Sequence, residues 1–467
     1  MTFTLRQHQQ DMLSAMQCND KGYITCGTGG GKTYTMITDS RRFLTPGSVI
    51  VVVAPQLLLA KQLFTEFDYH LSDVDFVYRQ VSSELETFQR DRRNLKFRTK
   101  VQPQSPSTTV ADIQDTHRIA QKADRPLILF TTYKSLERVV SANLKIDAVY
   151  FDEAHNAADS NCFPSVKTIS ATADHCYFFT ATPRRSESTS GAGFDNAEVY
   201  GQNICNVKFM DLINSGSIVH PYLHLQVSNA SAKNLDEVST DVDAIMETVN
   251  YYEVQHYDTG AHKILVACRG TKNIQDIRNS IMKWANAKGY DVLTVDSVNG
   301  GYINDEKICS GSDKGKFITK LDELGQDLTQ KMIVLHYDML GEGIDVKAFT
   351  GTIFLRNISS NIKAVQAMGR VIRSSPGKKY GIVTIIQHAD DTDDAFSAIR
   401  DIVHQLLSMG VPVDGILTEA SGRGKEDEVI ENLEEDIRKR INDYDIQWQH
   451  TLKIDEILSQ DEEDMAF

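Results

Sequence analysis

The chain has 467 residues, more than one ordinary hydrophobic core accommodates, so two or three domains are expected. Hydrophobic residues make up 41% and charged residues 24%, which excludes a disordered or membrane-embedded protein and is typical of a globular one. The formal net charge is −15, but the segment from Lys425 to Phe467 alone holds fifteen acidic and five basic residues. The acidity is mainly a property of this tail, so it does not exclude a polyanionic partner for the rest.

Targeting signals and cysteine spacing favour a cytoplasmic protein. The longest apolar run, Val49 to Ala60, is too short to cross a bilayer and is interrupted by Pro55. The N-terminus lacks the basic-then-apolar pattern of a secretion signal. The seven cysteines are scattered and never form a Cys-x-x-Cys pair, so we expect neither a zinc site nor a disulfide framework.

Short runs of β-branched and aromatic residues recur in the first half, each followed by a turn and a helix-like stretch. Apolar runs that alternate with helices predict strands buried on both faces of a parallel, doubly wound α/β sheet. The predicted strands are GYITC at 22–26, VIVVVA at 49–54, LILFTT at 127–132, DAVYFD at 147–152 and CYFFT at 176–180.

A second series of such runs predicts a second α/β domain facing the first across a cleft. We expect domains at 1–216 and 217–390, with a hinge near Ser217 to Pro221. The predicted strands of the second domain are KILVAC at 263–268, DVLTVD at 291–296, MIVLHY at 332–337, GTIFL at 351–355 and GIVTII at 381–386.

Two regions depart from the α/β pattern. A polar insertion at about 82–124 is long enough to be a loop or hairpin with a role of its own. From residue 391 apolar residues recur at three-to-four spacing, which predicts a helical extension over 391–467 that ends in the acidic tail.

The stretch ITCGTGGGKTYTM, from Ile24 to Met36, places a glycine-rich turn between a strand and a helix that opens at Lys32. Such a turn directs backbone N–H groups at phosphates, and Gly29 and Gly31 would allow close backbone approach. Lys32 would reach the β and γ phosphates, and Thr33 would place its hydroxyl on Mg²⁺. The usual pattern has a glycine where this chain has Cys26, so a plain strand-to-helix turn is the alternative.

A pair of carboxylates follows another predicted strand in VYFDEAHNA, Val149 to Ala157. Asp152, at the strand end, is placed to be a second Mg²⁺ ligand, and Glu153 to orient and deprotonate an attacking water. An ordinary exposed pair of acidic residues is the alternative, which the phosphate loop makes the weaker one.

The sequence Asp152-Glu153-Ala154-His155, with TATP at 180–183, resembles the DEAH-type helicases and translocases of superfamily 2. LRQHQ resembles the adenine-reading Q motif, with Arg6 and Gln9 in the matching places. VAPQLLLAKQ resembles motif Ia, FTTYKSL the strand-end threonines that contact nucleic acid, and VACRGT motif IV. The resemblance implies two tandem RecA-like domains, in a phosphate loop that often lacks the first glycine, so that Cys26 ends the buried strand as a small apolar residue.

The second domain carries two further motifs. MLGEGIDV at 339–346 resembles motif V and implies nucleotide binding by Gly343 and Asp345. QAMGRVIR at 366–373 matches motif VI, and the spacing of Gln366, Arg370 and Arg373 predicts one helical face directed at the γ-phosphate. Arginines there would neutralise charge in the transition state, whereas a solvated helix face is the alternative.

The resemblance implies ATP and Mg²⁺ as cofactors and hydrolysis that moves a nucleic-acid strand across the two domains. The residues implied in the ATP cycle are Lys32, Thr33, Asp152, Glu153, Gln366, Arg370 and Arg373. Those implied in coupling hydrolysis to the strand are His155, Thr180 and Thr182. Backbone contacts to nucleic acid are predicted for Pro55, Gln62, Thr132, Arg269 and Gly270.

GTGGGKT, FFTATPRR and GEGIDV are most similar to UvsW-like viral and phage DNA helicases related to restriction-enzyme (ResIII) translocases. This implies an ATP-dependent DNA helicase or translocase that acts on single-stranded, forked, branched or R-loop DNA. A viral RNA helicase or transcript-release factor, and a nucleotide-gated adaptor without unwinding, are the alternatives.

Two charged segments have open roles. The insertion carries basic residues interleaved with Phe88 and Phe97, either a second nucleic-acid contact or a charged, solvated hairpin. Its basic residues are Arg90, Arg92, Arg93, Lys96, Arg98 and Lys100. The acidic tail suggests autoinhibition or contact with a protein partner.

Overall fold

The computed structural model describes residues 4–83, 89–91, 95, 104–181, 183, 191–228, 237–255, 261–310, 315–337, 349–355, 369–388 and 417–422. The chain divides into two compact units, Met1–Ser215 and Gly216–Phe467. Each unit is built on one sheet whose strands are mostly parallel, which confirms the predicted α/β class.

The first unit contains a seven-stranded parallel sheet in the order β3-β4-β2-β5-β6-β1-β7. All five predicted strands are present with bounds within a residue or two. The edge strands β3 and β7 were not predicted, because β7 is a polar, largely exposed segment without an apolar run. The strands are β1 Lys21–Thr25, β2 Val49–Ala54, β3 Val77–Val81, β4 Leu127–Thr132, β5 Ala148–Phe151, β6 His175–Thr180 and β7 Gln202–Asn206.

Helices connect these strands. They are α1 Gln7–Cys18, α2 Lys32–Ser40, α3 Leu57–His70, α4 Val110–Ala123, α5 Leu136–Ser141, α6 Phe163–Thr172, α7 Ala197–Tyr200 and α8 Phe209–Asn214. Apolar side chains of β2, β4, β5 and β6 pack with those of α4, α5 and α6 in one buried cluster. This core fixes the strand ends that carry the candidate site.

The polar insertion differs from the predicted loop or hairpin in two ways. Its last part is helix α4, which begins after Thr109, whose hydroxyl accepts a hydrogen bond from the Asp112 amide at 3.3 Å. Arg90 is buried, so it belongs neither to a solvated hairpin nor to a nucleic-acid surface. Its guanidinium is held by Asp68 because an unpaired buried charge would be costly. The other basic residues and the two phenylalanines of the insertion lie outside the described residues.

The second unit contains a nine-stranded sheet in the order β12-β11-β10-β13-β9-β14-β15-β8-β16. Only the β10-β11 and β11-β12 pairs are antiparallel among the described pairings. The strands are β8 His220–Ser228, β9 Lys263–Ala267, β10 Tyr290–Asp296, β11 Gly300–Ile303, β12 Glu306–Cys309, β13 Lys331–His336, β14 Gly351–Phe354, β15 Tyr380–His388 and β16 Leu417–Gly422. The helices are α9 Glu237–Gln255, α10 Ile274–Ala287 and α11 Gly315–Gln326.

Two segments of the second unit differ from the sequence-based expectations. Leu417–Gly422, inside the predicted helical extension, forms β16 and pairs in parallel with β8. Without it β8 would be an unpaired sheet edge, and its free backbone groups favour an added strand. The predicted hinge segment is also paired within this unit, since Ile218 bridges Arg373 and β8 begins at His220. In the described part of the chain, no helix has the length and apolarity to span a membrane.

Candidate active site

Three neighbouring strands of the first sheet bring the predicted residues of this unit together. The order β5-β6-β1 places the glycine-rich loop after β1 near Asp152, which follows β5, and Thr180, which ends β6. Because the strands are parallel, their carboxyl ends meet at one edge of the sheet, where α/β proteins bind ligands.

The loop itself has the backbone shape of a phosphate cradle. Gly29 and Gly31 have φ angles of 85° and 78°, in the left-handed region that favours glycine. The Gly30 amide donates to the Gly27 carbonyl at 3.2 Å, which closes the turn. Helix α2 begins immediately after Gly31, so its first amide groups and its positive dipole end face an anion placed there.

Cys26 lies beneath this loop. Its amide donates to the Thr180 carbonyl at 2.9 Å, and its side chain is fully buried. A Cβ atom on Gly30 would come within 2.2 Å of the Cys26 sulfur, so the thiol fills the space that glycine leaves. Burial raises the pKa of Cys26 to about 12, and the sulfur is therefore a packed thiol and not a nucleophile.

Lys32 is a buried lysine held by two acceptors. Its Nζ lies 3.3 Å from Glu153 Oε1 and 3.4 Å from the Cys26 carbonyl oxygen. Burial by itself lowers the pKa of Lys32, but the attraction of Glu153 and Asp152 outweighs it, and the net shift is upward. The ammonium therefore stays charged and presents a fixed cation beside the loop.

Asp152 is buried directly after β5, and the Tyr133 hydroxyl donates to its backbone carbonyl at 2.9 Å. Burial, followed by repulsion from Glu153, raises the pKa of Asp152 to about 6. A carboxylate held in this way gains from a nearby cation, which is an observation that fits Mg²⁺. Thr33, half-buried in the first turn of α2, would supply a hydroxyl oxygen.

The donor set suits magnesium bound together with a phosphate. Across the described ranges, no group of three or more His, Cys, Asp or Glu side chains could hold a metal alone. Mg²⁺ is commonly bound through one or two carboxylates plus substrate phosphates, so a site of Asp152 and Thr33 would need the nucleotide to complete it.

Glu153 connects the ion pair to a hydrogen-bond chain. Its backbone adopts φ 45°, a left-handed conformation that is costly for a residue other than glycine and often marks functional sites. Its second oxygen, Oε2, lies 3.5 Å from His155 Nδ1, and that nitrogen lies 3.5 Å from Thr180 Oγ1. His155 Nε2 lies 3.2 Å from the Asn156 amide nitrogen, which fits a neutral ring with its proton on Nδ1. Thr182 lies outside the described residues.

Helix α1 contacts the loop through adjacent residues of LRQHQ. The Arg6 amide donates to Gln9 Oε1 at 2.9 Å, and a Cβ on Gly31 would meet Gln9 Nε2 at 2.1 Å. His8 Nε2 lies 3.0 Å from the Gly30 carbonyl oxygen. Sequence reasoning missed His8, because nothing in its spacing signals a contact with a glycine 22 positions later.

The predicted nucleic-acid contacts of the first unit follow strand ends at the same sheet edge. Pro55 and Gln62 are half-buried after β2, and Thr132 is buried at the end of β4 with its hydroxyl 3.4 Å from Ser135 Oγ. In the second unit, Arg269 and Gly270 follow β9, and Arg269 Nε donates to Asp241 Oδ1 at 3.0 Å.

The motif VI arginines are arranged differently from the predicted helical face. The described helix ends at Val371, and Arg373 is bridged to Ile218 in extended backbone, so Arg373 does not continue the face of Arg370. Pairing with the strand that leads into β8 outweighs the helical spacing. Lys378 Nζ donates to the Arg373 carbonyl at 2.8 Å and holds this segment. Gln366, Gly343 and Asp345 lie outside the described residues.

Comparisons with known proteins agree with this architecture. Residues 2–185 match the family described as "Type III restriction enzyme, res subunit" (ResIII). A search of curated proteins finds no significant match. The ATP-dependent Type ISP restriction-modification enzyme LlaBIII bound to DNA is similar in structure, with a TM-score of 0.67 and 16% identity. The similarity covers 91% of this chain and 32% of LlaBIII, so the chain spans about a third of that enzyme.

Two helicases of other kinds are similar as well. S. cerevisiae Dbp5 bound to RNA and ADP BeF3 has a TM-score of 0.54 and 14% identity over 92% of this chain and 93% of its own. Mycobacterium smegmatis helicase Lhr bound to ssDNA and AMP-PNP has a TM-score of 0.51 and 15% identity over 85% and 48%. At this identity the structures show the fold, and with the ResIII match they show that the chain has the architecture of superfamily 2 helicase-type motors.

Proposed function

We propose that this protein is an ATP-dependent nucleic-acid motor whose nucleotide site is built around Lys32, Asp152 and Glu153. The observation that carries the proposal is the buried Lys32–Glu153 contact of 3.3 Å beside a left-handed glycine loop. Such a loop and a fixed cation recognise a polyphosphate, and the adjacent carboxylates supply a base and a metal ligand.

The residues of the first unit divide the work of hydrolysis. The loop amides and Lys32 would hold the phosphates, and Thr33 and Asp152 would hold Mg²⁺, which supplies charge neutralisation when bound. Glu153 is positioned to accept the proton of the attacking water once Lys32 turns to the phosphates. We propose that Gln366, Arg370 and Arg373 neutralise the charge developing on the γ-phosphate, and that Gly343 and Asp345 bind the nucleotide.

The contact of His155 with both Glu153 and Thr180 supports a coupling role. A change in Glu153 on nucleotide binding would be felt at the end of β6, because the three side chains share one hydrogen-bond chain. Thr182, two residues after Thr180, is proposed to extend the chain. Pro55, Gln62, Thr132, Arg269 and Gly270 are proposed to contact the nucleic-acid backbone, which gives binding that is sensitive to salt and tolerant of sequence.

DNA is the substrate we propose, in single-stranded, forked, branched or R-loop form. The ResIII match and the resemblance to DNA-bound LlaBIII support it. RNA is the second candidate, since RNA-bound Dbp5 is matched along nearly its whole length. The UvsW-like assignment, with a role in recombination or branch migration, rests on the motifs GTGGGKT, FFTATPRR and GEGIDV.

One experiment separates these possibilities. ATP hydrolysis and strand separation are measured with single-stranded DNA, duplex, fork, four-way junction, RNA–DNA hybrid and RNA duplex, for the wild type and for Lys32→Ala. We expect stimulation by DNA that Lys32→Ala abolishes. Hydrolysis equally fast with and without nucleic acid would refute the motor, and stimulation by RNA alone would refute the DNA substrate. Stimulation without strand separation or strand displacement would support the adaptor instead.

A further inference from the structure

His8 is a buried histidine outside the motif residues of the nucleotide site. It is the second residue of helix α1, its exposed fraction is 5%, and its Nε2 lies 3.0 Å from the Gly30 carbonyl oxygen. A carbonyl oxygen only accepts, so Nε2 must carry a hydrogen. Burial is the largest influence on the pKa of His8 and lowers it, which keeps the ring neutral near pH 7 and fixes the tautomer with hydrogen on Nε2.

The carbonyl that His8 holds belongs to the peptide unit between Gly30 and Gly31. There are no cis peptide bonds among the described residues. In a trans peptide the carbonyl and the following N–H point in opposite directions. Because the Gly30 oxygen points toward His8 on α1, the Gly31 N–H points away from α1. Gly31 is the N-cap residue of α2, where amide groups are available to an anion.

The loop needs such an external constraint because it has little stiffness of its own. Gly29, Gly30 and Gly31 are consecutive, and glycine loses more conformational freedom on ordering than any other residue. Cys26 and Leu212 limit the space beside Gly30, where an added Cβ would lie 2.2 Å and 3.2 Å from their side-chain atoms. Packing of this kind restricts position, whereas a hydrogen bond to the carbonyl restricts the rotation of the peptide plane.

We propose that His8 is a positioning residue for the phosphate loop: by holding the Gly30 carbonyl, it directs the Gly31 N–H at the β-phosphate of the bound nucleotide. The proposal rests on the proposed function, because it presumes a nucleotide at this loop. Its ligand class is a nucleoside diphosphate or triphosphate. A nucleoside monophosphate, which lacks the β-phosphate, should be bound almost independently of His8.

The test compares nucleotide affinity in variants that keep or remove the donor at Nε2. Gln places its amide nitrogen where Nε2 lies in histidine, whereas Phe keeps the ring and removes the donor. Dissociation constants for ADP and AMP are measured by calorimetry, with competition for AMP, in the full chain. Removal of a hydrogen bond that positions a donor to a charged group should weaken ADP binding about tenfold in His8→Phe. AMP affinity should change much less, and His8→Gln should restore ADP affinity.

The controls separate this role from packing and from the function itself. His117→Phe alters a half-buried histidine of α4 in the same unit and should leave both affinities unchanged. If His8→Phe does not fold, His8→Asn replaces it, because its shorter amide does not reach Gly30. Equal weakening of ADP and AMP, unchanged ADP binding, or failure of Gln to rescue would each overturn the role of His8. A wild type that binds ADP no better than Lys32→Ala would instead overturn the proposed function, and the role of His8 with it.

Discussion

Lys32 and Glu153, 121 positions apart, form a buried ion pair of 3.3 Å that joins the glycine loop to the carboxylates after β5. In this arrangement the proposed general base is occupied by the residue that is expected to bind phosphate. A nucleotide would attract Lys32 and release Glu153 toward the attacking water, so the pair connects binding with activation of the base.

This relationship predicts different defects for the two partners. Glu153→Gln keeps a similar shape and removes the base, so it should lower the ATPase turnover by about 10²- to 10⁴-fold with little loss of ATP affinity. Lys32→Ala removes the cation at the phosphates and should raise the dissociation constant for ATP. Steady-state hydrolysis and nucleotide titration distinguish the two. Weak ATP binding by Glu153→Gln, with wild-type turnover at saturation, would contradict the assigned roles.

The elements of this site differed in how well the sequence foretold them. Continuous apolar runs such as VIVVVA gave β2 with its observed bounds, because a strand buried on both faces leaves a clear periodicity. The polar β7 and the late β16 depend on pairing to a neighbouring strand, which local sequence does not encode. Motif spacing likewise located the carboxylates, whereas the contact of His8 with Gly30 arises only from how α1 packs on the loop.

Asp152 predicts a stability that depends on pH. Its pKa is raised to about 6 from 3.8 by burial and by Glu153, so the unfolded chain loses its proton at lower pH than the folded one. The charged carboxylate therefore destabilises the nucleotide-free fold fully above about pH 6, and the penalty disappears below about pH 4. Asp152→Asn should raise the melting temperature at pH 8, by about 2–4 °C for each kcal/mol removed, and should have little effect at pH 4.

The measurement is a thermal melt of both proteins without nucleotide across this range. Asp115→Asn is a matched control, because Asp115 is an exposed carboxylate in a surface ion pair and such pairs contribute little. A melting temperature for Asp152→Asn that is lower than that of the wild type at pH 8 would contradict the destabilising charge.

Cys26 predicts tolerance where the loop glycines do not. Cys26→Ala removes one buried sulfur beneath Gly30 and should leave the ATPase rate within about threefold, because the cavity is small and apolar. Gly31→Val places a branched side chain at φ 78° and within 2.1 Å of Gln9, so it should abolish nucleotide binding. Both variants are compared by ATP titration and by melting temperature. A severe binding loss in Cys26→Ala with an unchanged melting temperature would mean that the thiol has a role other than packing.

Arg90 predicts a structural defect and not a loss of nucleic-acid binding. Its Nε lies 2.5 Å from Asp68 Oδ1, its guanidinium also donates to the Leu71 and Val74 carbonyls, and its side chain lies over the Phe76 ring at 4.0 Å. Arg90→Ala leaves a buried, unpaired Asp68 and should destabilise the first unit by about 3–5 kcal/mol. Denaturant unfolding measures this, with exposed Arg118→Ala as the control. Wild-type stability combined with weaker DNA binding would restore the surface role that the burial of Arg90 argues against.

Thr180 predicts a separation of hydrolysis from coupling. Its hydroxyl lies 3.5 Å from His155 Nδ1, at the end of the strand that pairs with β1. Thr180→Val keeps the volume and removes the hydroxyl, so the chain from Glu153 would end at His155. We expect ATP affinity and unstimulated hydrolysis to stay near wild type, while stimulation by DNA falls several-fold. Thr172→Val, which alters an exposed threonine of α6, is the matched control. Equal loss of unstimulated and stimulated rates in Thr180→Val would show that Thr180 supports the ATP site itself, because a coupling residue changes the response to the strand and leaves the chemical step intact.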